Sequence, residues 1–344
     1  MVNRYIPILR WKQGERRGLA QLQTAARVDV FPLFQLGGEQ FRGPRGNNAQ
    51  GVTPAIVFAN EVSQCWGTAP FYLDASALPH NSGASHHSLV DIAAACRSAG
   101  LNMIPATMLG APPNYQSAVQ AVHAIDGRGT ALRVDLAEFS SASGWTGMMP
   151  LPISDTDLIA DFRSSIGLVS AMGAAIISTF HALHNGPNWR SVTVSGTSIP
   201  ADFSGYSAGI HIINRAEWSL WNSLSAGGLP YQLHYGDYAT VSLAAPPPGI
   251  AWGYPINVKY TLPSAFLICR GVKTTGRGSI DMAPQLIGHA NSIVTYHSRA
   301  LISGCWADGF IDDVASGAES PGNLETWVRL SVNRHVERVR ADLP

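Results

Sequence analysis

Residues 5–15 read Tyr5-Ile6-Pro7-Ile8-Leu9-Arg10-Trp11-Lys12-Gln13-Gly14-Glu15, and this order of residue types sets the expectation for the fold. Tyr5 to Leu9 is a short apolar strand. Its polar end, Arg10-Trp11-Lys12, is followed by Gly14-Glu15, which opens a helix to about Ala26. Strand, polar end and helix in that order form the unit of a parallel sheet, because parallel neighbours need a crossover and a helix is the usual one.

The same unit recurs along the chain. Val28 to Leu36 is a second strand, followed by a glycine-rich loop, Gly37 to Gly51. Thr53-Pro54 starts the next helix, with Thr as cap and Pro at the first helical position. A third strand, Pro70 to Leu73, ends at Asp74, and a helix from about Ser85 to Ala99 stops at Gly100. Asn102 to Thr107 is the fourth strand, and Pro112-Pro113 begins a helix to about Ile125. Thr130 to Leu136, containing Asp135, is the fifth. Ser154-Asp155-Thr156-Asp157 reads as the cap of another helix. The sixth strand is placed within Leu168 to Ile177, although its small residues suit a helix too. Ser191 to Ser195 is the seventh strand, a long helix occupies about Gly209 to Ser225, and Tyr231 to Tyr235 is the eighth. Eight such units close into an α/β TIM-type (βα)8 barrel.

The pattern breaks after the eighth strand. Pro246-Pro247-Pro248 lies in a loop, and Ile256–Thr261 with Ala265–Arg270 alternates as a hairpin, so residues 246–281 read as an insertion in the last βα unit. A helix follows around Pro284 to Ala300. The terminal helix, Leu324 to about Arg340, turns Trp327, Leu330, Val332, Val336 and Val339 to the core at helical spacing. The whole chain, 1–344, is expected to form one barrel domain, a length that suits one barrel with additions.

Composition narrows the function classes. Charged residues are 13%, about half the usual share. Lys plus Arg and Asp plus Glu are 23 each, which argues against a general nucleic-acid binder but leaves room for a small basic pocket. Lysine occurs only at Lys12, Lys259 and Lys273. A coding bias towards Arg explains the scarcity, and a Lys kept against that bias is a candidate for chemistry. Cys65, Cys96, Cys269 and Cys305 form no CxxC pair and read as buried free thiols of a reducing compartment. The N-terminus lacks the pattern of a signal peptide, and no apolar run is long enough to span a membrane. A cytoplasmic location is expected.

Barrel enzymes carry their working groups at the C-terminal ends of the strands. The polar residues predicted there are Arg10, Trp11, Lys12, Gln35, Asp74, Thr107, Asp135, Ser195, Thr197, Ser198, Tyr235, Asp237 and Tyr238. Lys12, Asp74, Asp135 and Asp237 are the candidates for catalysis; the others, Gln35 apart, would contact a ligand. Each also has a structural reading, Asp135 as an internal acceptor for Arg133 for example. Ser195-Gly196-Thr197-Ser198 falls where barrels commonly bind phosphate, since Gly admits an anion to the backbone and hydroxyls add donors. The alternative is an ordinary turn. His86-His87 reads as a solvated cap. His181 and His184 lack a third ligand, so no metal site is assigned. GxGxxG and the P-loop pattern are missing. Asp74 with Asp135 could serve glycoside hydrolysis if Trp11 supplied an aromatic platform. No cofactor follows from these residues.

The opening segment, Tyr5 to Glu15, resembles the beta protein family of phages, phage satellites and prophages. Further likeness lies in Val30-Phe31-Pro32-Leu33, Ser195 to Pro200, Arg215-Ala216-Glu217-Trp218, Tyr235-Gly236-Asp237-Tyr238, Lys259-Tyr260-Thr261 and Asn333-Arg334-His335. The resemblance adds Arg215, Lys259 and Tyr260 to the ligand-binding candidates. It implies a component of satellite-borne antiphage defence, in which the family member restrains a toxic partner, and it names no reaction. The chain departs from the pattern at Gln35, where a carboxylate is common, and at Arg334-His335, where two histidines are usual. Three readings follow: a regulatory barrel binding a small anionic ligand or a partner protein, an enzyme acting on a phosphoester or nucleotide, and a glycoside-type hydrolase.

Overall fold

The computed structural model describes residues 3–43, 51–78, 86–141, 149–183, 188–243 and 255–344. Eight parallel strands close a barrel: β1 (Tyr5–Arg10), β2 (Leu33–Gln35), β3 (Phe71–Asp74), β4 (Met103–Met108), β5 (Thr130–Val134), β6 (Thr156–Asp161), β7 (Ser191–Gly196) and β9 (Leu233–Asp237). Closure is completed by β1 pairing with β9, Tyr5 opposite Tyr235 and Pro7 opposite Asp237. The chain is a TIM-type barrel, as its alternating pattern predicts.

Alternation along each strand builds two layers. Ile6, Ile8, Leu33, Tyr72, Ile104, Ala106, Ala131, Ile159 and Tyr238 fill the lumen. Their neighbours, such as Tyr5, Leu9, Phe34, Leu73, Leu132, Val194 and Tyr235, meet the outer helices. Low in the lumen, the Tyr72 hydroxyl donates to Asp157 Oδ2 at 2.7 Å, and the Arg190 guanidinium also binds that carboxylate.

Two expectations fail, for one reason. The sixth strand is Thr156–Asp161, not part of Leu168–Ile177, which is helical in α6 (Ile166–Met172) and α7 (Ala174–His181). Asp157 reads in sequence as part of a helix cap, yet it and Asp161 point into the lumen, where arginines neutralise them. Gly209–Asn214 is likewise a strand, β8, and not the start of a helix; α8 begins at Ala216 and ends at Ala226. In both places tertiary pairing overrides the local reading.

The strand β8 joins the expected hairpin, β10 (Asn257–Thr261) and β11 (Ala265–Arg270), in a separate antiparallel sheet of order β10-β11-β8. Helices α9 (Met282–Val294), α10 (Trp306–Ser316) and α11 (Leu324–Asp342) cover β10 and β11 with a second apolar cluster. Helix α11 also lies along α1 (Gln13–Ala20), so close that a Cβ on Gly18 would sit 2.9 Å from the Arg329 carbonyl oxygen. The expected Pro246-Pro247-Pro248 loop, Ser85 and His184 lie outside the described residues.

Candidate functional site

The upper lumen is closed by one side chain. Strand β5 turns Arg133 inward with Ala131, and its guanidinium reaches two strands at once. Nη1 donates to Asp74 Oδ2 at 2.7 Å, and Nη2 and Nε donate to Asp161 Oδ2 at 2.7 and 3.2 Å. Nη2 also donates to the Tyr238 hydroxyl at 3.0 Å, which in turn donates to Asp161 at 2.6 Å. Burial opposes the charge of Arg133, but Asp161, Tyr238 and Asp74 outweigh it and raise its pKa.

Directly above lies a cavity of about 330 Å³ at the C-terminal ends of the strands. Four cationic side chains line it, Arg10, Lys12, Arg133 and Arg163, together with the amides Gln35 and Gln40. Asp74 is the one carboxylate among the described lining residues, and it is bound to Arg133. Lys12 is the N-cap of α1, and its side chain makes no capping hydrogen bond. Lys259 lies near: its Nζ donates to the Thr240 carbonyl at 2.5 Å, and Arg10 and Glu15 are its charged neighbours. Burial lowers the Lys259 pKa to about 8, against the pull of Glu15. One oxygen of Glu15 is buried without a partner, and burial raises its pKa.

The mouth is held by a repeated turn. Asp74, Asp161 and Asp237 end β3, β6 and β9, and each accepts the backbone N–H two residues on, from Ser76, Arg163 and Ala239 at 3.1, 3.3 and 2.9 Å. Such Asx turns favour tight exits from a strand. Arg163 and Ala239 both have φ of 47°, a left-handed conformation that costs a non-glycine residue of order 1–3 kcal/mol. For Arg163 the result is a half-exposed guanidinium over the cavity, 3.9 Å from Asp161.

The structure splits the expected catalytic set. Lys12 and Asp74 share the cavity; Asp135 and Asp237 do not. Asp135 is exposed and caps α5 (Leu136–Ser140), exchanging hydrogen bonds with Glu138 in a capping box, because β5 ends one residue earlier. Asp237 has the opposite strand phase from Tyr238 and points outward through the barrel wall. There it accepts from the hydroxyls of Tyr5 and Tyr235 at 2.7 and 2.8 Å and from His335 Nε2 at 2.8 Å. Arg215 lies 3.9 Å away. Burial alone would raise the Asp237 pKa, yet His335, Arg215 and the Tyr5 hydroxyl hold it down at about 2. Burial lowers the His335 pKa, against the pull of Asp237. The His335 Nδ1 is hydrogen-bonded to the Thr261 hydroxyl at 3.0 Å, so both ring nitrogens are used.

Most of the expected ligand contacts are also structural. Trp11 is buried against Phe34 and Phe58 and donates to Glu61, so it forms no platform for a sugar. Thr107 alternates with the lumen residue Ala106 and faces the helices. Tyr260 is buried under α11, donating to Asp308 at 2.7 Å, and Tyr235 and Arg215 belong to the Asp237 network. The expected phosphate loop is consumed internally. Thr197 Oγ1 accepts from Ile199 N; Ser198 Oγ accepts from Ala216 N and donates to Glu217. Ser195 Oγ is buried in the lumen without a partner. With Trp11 and Asp135 elsewhere, the two supports of the glycoside reading are gone.

Arg133, Asp161 and Arg163 complete the site and were missed. The signal for Arg133 was the phase of Thr130–Val134, which puts it on the same face as Ala131. Asp161 and Arg163 were hidden by the misplaced sixth strand. Among the described residues, no group of three or more His, Cys, Asp or Glu side chains is placed to hold a metal ion. The four cysteines are free and buried, as expected. No single described helix is long and apolar enough to cross a membrane.

Fold and mouth define a class: a (βα)8 barrel with an arginine-closed lumen and a cationic cavity above it. The particular family follows from the sequence comparison. The family model described as Beta protein matches residues 5–341, and the chain belongs to that family. No curated protein matches the chain.

Proposed function

We propose that the barrel mouth binds a small anionic ligand, a nucleotide or a phosphorylated metabolite, and that this barrel serves a phage-related defence module. The observation that supports the reading is the charge imbalance of the cavity: four cationic side chains against one carboxylate, which is itself spent on Arg133. Lys12 then has charge to offer a ligand, beside the half-exposed guanidinium of Arg163, 3.9 Å from Asp161. An anion held this way makes charge-assisted hydrogen bonds, roughly twice as strong as neutral ones.

The test is titration calorimetry with inorganic pyrophosphate and with ADP as probes. Binding of either by the wild-type protein, weakened ten- to a hundredfold in Lys12→Met, is the expected result. This corresponds to loss of one charge-assisted contact of roughly 1.5–3 kcal/mol. Absence of binding by both probes, or equal binding by Lys12→Met and Arg163→Ala, would remove the reading. A phage-challenge assay of the whole cassette carrying Lys12→Met tests the defence role separately.

A further inference from the structure

Among the described residues, the sheet β10-β11-β8 ends at β8 in an edge that no strand covers. Strand β8 pairs with β11 along one side, from Gly209 opposite Arg270 to Asn214 opposite Ala265. Among the described residues no strand pairs with its other side. An edge strand leaves a row of N–H and C=O groups unmade, and proteins usually blunt such edges with charge, proline, a bulge or a cover. The segment Gly209-Ile210-His211-Ile212-Ile213-Asn214 has no Lys, Arg, Asp, Glu or Pro. Helices α9 to α11 cover β10 and β11 on one face, but Ile210 and Ile212, on that same face, remain 48% and 46% exposed. On the opposite face Ile213 packs with Phe203 and Phe266.

We infer that β8 is a dimerisation strand, covered by β8 of a second copy in antiparallel pairing. What completes a strand edge by hydrogen bonding is another extended strand. The choice of a second copy rests on charge: with no ionisable acid or base of fixed charge along it, β8 faces its own twin without repulsion. The side-chain pattern is also self-complementary. Two-fold pairing must keep each face with itself, which requires the axis to pass through a residue. An axis at His211 sets Ile210 opposite Ile212 of the twin, Ile212 opposite Ile210, and Gly209 opposite Ile213. Two exposed isoleucines per copy then become one buried apolar quartet, in a six-stranded sheet across two molecules. Cyclic two-fold pairs are the commonest closed assemblies.

The register supplies the test. In antiparallel pairing, opposed Cα atoms lie about 4.5–5.5 Å apart, within the range for a disulfide. His211→Cys should therefore form a covalent dimer under mild oxidation. The native thiols are all buried, so the background is low. Ser204→Cys, outside the strand, should not cross-link. Sedimentation of the wild-type protein at about 50 μM should give twice the mass of the chain, and Ile212→Lys, which puts a charge on the edge, should give the monomer with an unchanged far-UV circular dichroism spectrum. A wild-type protein monomeric at that concentration, or a dimer that survives Ile212→Lys while His211→Cys fails to cross-link, overturns the inference.

Discussion

Glu217 shows how far a single residue can depart from its type. It sits in the first turn of α8, buried, taking the Ser198 hydroxyl on one oxygen and leaving the other without a partner. Burial pushes its pKa up to about 7, against the opposing pull of Ser198 and Arg215. The folded protein then holds a proton between pH 4.5 and about 7 that the unfolded chain has released, so this group's contribution to stability falls as pH rises through that window. The size is about 3 kcal/mol at most. His234 works in the opposite sense, since burial and the nearby Arg4 hold it at about 4, and its contribution is lost as pH falls from 6.5. The two slopes overlap in the wild type. Urea unfolding of Glu217→Gln beside the wild type, at pH 5 and pH 7.5, separates them: the difference between the proteins should change by roughly 1–3 kcal/mol across the interval. The same difference at both values would mean that Glu217 titrates normally.

Helix α11 is the element that completes the barrel, standing against α1 where the eighth outer helix is needed. Contact depends on Gly14 and Gly18, four residues apart on one face of α1: a Cβ on Gly14 would meet Val328 at 2.7 Å, and one on Gly18 would meet the Arg329 carbonyl oxygen at 2.9 Å. On an exposed helix Gly→Ala stabilises by about 1 kcal/mol. Here overpacking against backbone should win, with Gly18→Ala less stable by roughly 1–3 kcal/mol in a urea titration; an increase in stability would show that the two helices can part without cost. Elements were also the scale at which the sequence was most unevenly legible. Strands such as Tyr5–Leu9 and Ala265–Arg270 could be read because their apolar runs end at turn residues. Thr156–Asp161 could not, because a barrel lumen accepts carboxylates once an arginine from a neighbouring strand meets them, and that partner is distant in sequence. Gly209–Asn214 failed because its pairing partner lies some fifty residues away. The site followed the same rule. Lys12, Arg10 and Asp74 were legible as strand-end residues, whereas Asp237 was placed one strand phase off, and Arg133 declared itself only through facing.

At the scale of the molecule, a neutral chain has sorted its polar groups into two bodies separated by the barrel wall. The mouth holds Arg10, Lys12, Asp74, Arg133 and Arg163. The seam outside β1 and β9 holds Tyr5, Tyr235, Asp237, His335 and Arg215, docking the added sheet and α11. The two differ in what removal of charge should do. The seam is fully buried, so Asp237→Asn removes one of the two carboxylates beside Arg215 and disturbs four hydrogen bonds. Breaking a buried charged pair from one side costs roughly 3–5 kcal/mol. The mouth is open to solvent at Lys12, so Lys12→Met should stay within roughly ±0.5 kcal/mol of the wild type. Ligand binding should reverse this order. Pyrophosphate affinity should fall ten- to a hundredfold in Lys12→Met, as a charge-assisted contact of about 1.5–3 kcal/mol requires. In Asp237→Asn, measured at a temperature where it stays folded, affinity should remain within about threefold, because Asp237 faces away from the cavity and a change of that size is under 1 kcal/mol. Unfolding curves and calorimetry on the same two variants give the four values needed. A loss of affinity in Asp237→Asn equal to that in Lys12→Met would mean that the wall transmits between mouth and seam, and that the barrel works as one polar body instead of two.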